Sequence, residues 1–127
     1  MAVSRETVLF YEPAGGAQGA LLKPVLVRMG VRIKNVPLEA VGQTIGCLLG
    51  RKGFDARENP EAPALEEPVL VLDGFTDKRL EILLREMKKN GVSVPYKAIV
   101  TETNLGWLFH QLYDELAEEH KAMQGAK

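Results

Sequence analysis

The chain has 127 residues, 46% of them apolar, a single cysteine and a formal net charge of −1. That is enough to form one domain, residues 1–127, with its own core, and too apolar for a chain disordered throughout. The balanced charge argues against nucleic-acid binding through phosphates, the lone Cys47 excludes an internal disulfide and suits a reducing cytoplasm, and no apolar run nears the roughly 20 residues that span a bilayer.

Taken in order, Thr7 to Tyr11 reads as a first strand. Glu12 to Gly19 is a Gly-rich turn into a helix that ends near Met29. Such a turn can cradle a phosphate, but no Lys-Ser/Thr pair follows it and no dinucleotide fingerprint is complete, so it reads as a plain turn. Pro24 predicts a bend or a late start in that helix. Gly30 ends it, and Val31, Ile33 and Val36 form a second strand with Arg32 and Lys34 facing outward. Pro37 to Val41 is a helical turn, and Thr44 to Leu49 a short helix closed by Gly50.

Residues 55–68 hold five acidic residues, one Arg and three Pro. They read as a polar, stiffened linker poorly suited to packing. Val69 to Leu72 is a third strand. Thr76 caps the next helix, with Phe75 and Leu80 as its hydrophobic staple and Gly91 as its end. Ala98 to Val100 reads as a strand buried on both faces. It runs into a long final helix capped by Thr101, with Asn104 at the third helical position and a stripe through Leu105, Leu108, Phe109, Leu112 and Leu116. Trp107 lies off that stripe, beside Gln111 and Asp114. The tail after His120 is expected to fray.

The halves 7–54 and 69–120 resemble each other. Val8 to Tyr11 precedes Val69 to Leu72 by 61 positions, as Leu26, Gly30 and Val31 precede Met87, Gly91 and Val92. Thr44 to Leu49 precedes Asn104 to Phe109 by 60. Each half is therefore strand-helix-strand-helix, with the acidic linker between them. The expected fold is α/β: one four-stranded sheet in the order 2-1-3-4, two parallel pairs related by a pseudo-twofold, with a ferredoxin-like arrangement as the alternative. Gly46 and Gly106, costly inside helices, imply that these helices closely approach the sheet or each other.

Two stretches, Gln43-Thr-Ile-Gly-Cys-Leu-Leu-Gly50 with Arg51-Lys-Gly-Phe54, and Lys97-Ala-Ile-Val-Thr-Glu-Thr-Asn with Trp107, resemble the bacterial family known as domain of unknown function 3783. The resemblance covers most of the chain and implies a bacterial, cytoplasmic protein. It brings no established activity.

Three functions are weighed. The first is a non-catalytic interaction or regulatory module, using Trp107 to hold a protein partner or a second copy. The second is a binder of a small anion (nucleotide, phosphate or carboxylate) through Lys97, Thr101, Thr103, Asn104 and Gln43. The third is an enzyme. Lys97, Cys47, His110 and Glu102 are chemically capable, but none has a partner at a telling spacing, so no catalytic residue is assigned. One Cys and two separated His, His110 and His120, make a zinc site improbable, and no cofactor is expected.

Overall fold

The computed structural model describes residues 6–58 and 60–125. Four strands, β1 (Thr7–Tyr11), β2 (Arg32–Asn35), β3 (Val69–Asp73) and β4 (Tyr96–Ile99), form one sheet in the order β2-β1-β3-β4. β1 pairs β2 in parallel, β3 pairs β4 in parallel, and the central pair β1 and β3 is antiparallel. This is the order expected from two strand-helix-strand units. β1 and most of β3 are buried, as their continuous apolar sequence requires. β4 is not buried on both faces, against expectation. It is a half-buried edge strand, because among the described residues no strand pairs on its outer side.

Two layers of helix cover the sheet. On one face lie α1 (Gln18–Met29) and α3 (Asp77–Lys89). Leu22, Val25 and Leu26 of α1 and Leu83 and Met87 of α3 pack on Val8, Phe10, Leu70 and Leu72. Each such buried aliphatic contributes about 1.5–3 kcal/mol. On the other face lie α2 (Ile45–Leu48) and α4 (Phe109–Gly125). There Ile45, Phe109 and Leu112 pack on Leu9, Tyr11, Val69 and Val71.

The endings of α1 and α3 match. Gly30 and Gly91 take φ of 72° and 73°, and the next amide reaches back, Val31 to the Leu26 carbonyl at 3.0 Å and Val92 to the Met87 carbonyl at 2.9 Å. α1 starts ahead of Pro24 and runs through it, so the late start does not occur. α4 continues to Gly125, past the point where fraying was expected. The Gly-rich turn carries its own anion. The Glu12 carboxylate accepts from the Gln18 amide at 2.6 Å and the Gly19 amide at 3.1 Å. It thus lies where a phosphate would meet the amides of α1.

Residues 55–58 and 60–68, read as a stiffened linker poorly suited to packing, make specific contacts. Leu65 is buried among the α2/α4-face residues, and its carbonyl accepts from the Tyr11 hydroxyl at 3.0 Å. The Glu66 and Glu67 amides donate to the Tyr113 hydroxyl, each at 3.2 Å. A Cβ on Gly42 would collide with the Glu61 carbonyl oxygen. The segment is a strap laid over α4 and the turn before α2. Its few apolar and backbone groups find partners contributed by distant residues.

Candidate functional site

The two stretches that carry the family resemblance meet in space. Thr44 and Leu108 form an antiparallel bridge. The Ile45 amide donates to the Trp107 carbonyl and the Phe109 amide to the Gln43 carbonyl, both at 2.9 Å. The Phe54 ring fills the space beside both glycines. A Cβ on Gly46 would enter the ring, and one on Gly106 would touch it at 4.0 Å. Arg51 extends the junction to the sheet through Asp73 at 2.6 Å. Glycine stands at position 46 because an aromatic ring occupies the place of its side chain.

The helix start drawn from Thr101 is different in the structure. Asn104–Gly106 is one turn of 3-10 helix, and α4 begins only at Phe109. The cap itself exists in reciprocal form. The Asn104 amide donates to Thr101 Oγ1 at 3.1 Å, and the Thr101 amide donates to Asn104 Oδ1 at 2.8 Å. The long helix has a second cap, the Leu108 amide donating to Gln111 Oε1 at 2.8 Å. α2 and α4 start 64 residues apart (109 − 45), so the 60-residue match aligned α2 with the 3-10 turn. Local pattern could not separate one long helix from a turn followed by a helix, since both turn Leu105 and Phe109 toward the core.

Asn104 has a further role. The Val100 amide bonds to the Leu72 carbonyl, so in this parallel ladder Lys97, Ile99 and Thr101 turn their backbone groups outward. Asn104 Nδ2 donates to the Ile99 carbonyl at 3.0 Å, while its Oδ1 takes the Thr101 amide. Its carboxamide therefore does what one residue of a fifth parallel strand would do. It closes the last stretch of the free edge. Gln43 behaves similarly, with Nε2 donating to the Arg57 carbonyl at 3.0 Å and Oε1 accepting the Arg57 amide at 2.7 Å.

The five residues considered for an anion do not converge. Asn104 is buried and bonded at both ends of its amide, and Gln43 is engaged with the strap. Thr101 and Thr103 are exposed. Lys97 opposes Leu70 in the ladder and so projects to the α1/α3 face, away from the side where α2 and α4 pack. Its ammonium donates to the Val94 carbonyl at 2.7 Å, and burial lowers its pKa. Among the described residues no hydrogen bond joins any two of Lys97, Cys47, His110 and Glu102, and no group of three or more His, Cys, Asp or Glu is placed to hold a metal.

Trp107 is extended (φ −81°, ψ 147°) rather than helical. It is half-buried against the α2/α4-face core. Its outer side lines a groove of about 380 Å³ with Gln111, Asp114, Glu115 and Glu118. These four recur at helical spacing along α4, opposite the buried Phe109 and Leu112. Gln111 and Asp114 are thus its neighbours as expected, although it gains them from the turn before the helix. The groove is an aromatic wall facing three carboxylates.

No helix among the described residues is long and apolar enough to cross a membrane. No curated protein and no solved structure matches the chain. The match to a family model is shorter than the resemblance read from the residues, since the stretch Gln43 to Phe54 lies outside it. Over residues 68–123, from the start of β3 through most of α4, the chain matches the family described as Domain of unknown function (DUF3783), and that is the family it resembles.

Proposed function

We propose that this protein is a non-catalytic interaction module of the cytoplasm that holds a protein partner at the groove beside Trp107. The observation that carries the reading is the composition of that groove, an indole half open to solvent with Asp114, Glu115 and Glu118 along one helix. A Lys or Arg side chain of the partner fits it. A cation over an indole gains about 0.5–2 kcal/mol, and neighbouring carboxylates steer its approach. The small-anion reading has less support, because Lys97, Asn104 and Gln43 are engaged elsewhere and the open groove is acidic.

Trp107 is the only tryptophan, so its fluorescence reports on the groove alone. Titration with an oligo-arginine peptide should shift or quench the emission. The effect should weaken with salt and diminish in Glu115→Gln/Glu118→Gln. Oligo-glutamate should do nothing. An emission unmoved by oligo-arginine at low salt would remove the reading.

A further inference from the structure

On the opposite face, α3 and the free edge of β4 border a second concavity. Two adjoining hollows, of about 270 and 400 Å³, share Leu84 and Lys97 on their walls. Leu80, Leu84 and Lys88 lie four residues apart along α3, so they form one row. Ile99 and Lys97, two apart in β4, form the facing row. The trough is therefore apolar at one end, with Leu80, Leu84 and Ile99, and cationic at the other, with Lys88 and Lys97. Leu84 and Ile99 are 39% and 49% exposed, a large fraction for aliphatics that sit side by side. Beside them, the amide and carbonyl of Lys97 and the amide of Ile99 point away from β3 to the side where no strand lies among the described residues. Asn104 closes the edge only beyond that point.

We propose that this trough accepts an extended peptide of another protein as a fifth strand on β4, with an apolar side chain against Leu84 and Ile99 and, two residues away, a carboxylate against Lys97 and Lys88. Side chains of an added strand repeat every second residue on one face, which matches the spacing of Ile99 and Lys97. The bare main-chain groups supply affinity, and the apolar-then-acidic order supplies selectivity. A second copy of this chain fits less well, because antiparallel β4 edges centred on Ala98 would set the Lys97 ammonium of each copy against the apolar Ile99 of the other. The site is independent of Trp107.

The test is a phage-displayed library of random heptapeptides panned on the full chain. Enriched peptides should carry an apolar and an acidic residue two positions apart. They should lose about tenfold or more in affinity to Lys97→Glu and to Ile99→Ser, the latter at a half-exposed position that keeps the test valid if the charge reversal fails to fold. They should slow hydrogen exchange of the Lys97 and Ile99 amides, and Trp107→Ala should bind them unchanged. Lack of enrichment, or binding that survives both substitutions, would overturn the proposal. So would a concentration-dependent dimer abolished by Ile99→Ser, which would give the edge to a second copy. Because the readout is on β4, its failure leaves the Trp107 groove untouched, and the reverse holds.

Discussion

On one face of the sheet, α1 and α3 lay twelve and thirteen residues of regular helix over the strands, and their apolar positions account for the packing. On the other face α4 packs through Phe109 and Leu112, but α2 has only four residues, and the rest of the closure falls to the bridge at Thr44 and Leu108, the Phe54 ring and the strap. The first face is held by contacts that follow helical period. The second adds, to the packing of Phe109 and Leu112, side-chain amides and hydroxyls that take up backbone groups elsewhere in the chain. The surfaces differ accordingly. The first leaves an apolar and basic trough at an open edge, and the second an aromatic and acidic groove.

The difference can be tested by small changes on each face. Leu22→Ala, deep in the α1/α3 core, should cost about 2–5 kcal/mol in urea unfolding, by lost burial and the cavity left behind. Gly42→Ala adds one methyl yet should cost about 1–3 kcal/mol, because the new Cβ meets the Glu61 carbonyl and lies 2.6 Å from Pro60 Cβ. If Gly42→Ala proved neutral, the strap would not be clamped to the face, and the contrast would fail.

Asn104→Ala should come next, at about 1–3 kcal/mol, since it strands the Ile99 carbonyl and the Thr101 amide in a part-buried place. Gln43→Ala makes the matching deletion in an exposed setting and should cost less. Equal losses for the two would show that burial is not what makes the Asn104 amide matter. Unfolding curves for both variants, taken side by side, decide this.

The smallest effect concerns Lys97. Burial lowers its pKa from the ordinary 10.5, so the folded state carries the cost of a charged amine at neutral pH. As pH rises from the lowered value towards 10.5, the folded state sheds this proton before the unfolded chain does, and stability relative to a variant lacking the amine rises. Lys97→Met should therefore gain on the parent at neutral pH, and the gap should close in alkali. A constant gap across that range would mean that the ammonium is well solvated and that the trough is shallower than drawn.

Much of the fold was legible in the residues themselves. Alternating and continuous apolar runs marked all four strands, Thr76 and Gly91 bracketed α3, and two strand-helix-strand units implied parallel pairs joined at the centre. Those features rest on local physics, on side-chain period and on backbone conformations that glycine adopts easily. Position 46 could be seen to need glycine, though not that Phe54 was the reason. What lay beyond the sequence was long-range. Trp107 could be given its neighbours but not its place in a turn before α4, Asn104 could be given its cap but not the Ile99 carbonyl it also closes, and Lys97 could not be assigned a face of the sheet relative to Thr101. The strap looked poorly suited to packing because its composition is polar, and among the described residues Tyr11, Gln43 and Tyr113, brought to it by the fold, give its backbone partners. A hydrogen bond from a side chain to a backbone group outside its own element leaves no periodic trace in a sequence. For that reason the tertiary structure alone decided which polar groups were occupied and which surfaces stayed open.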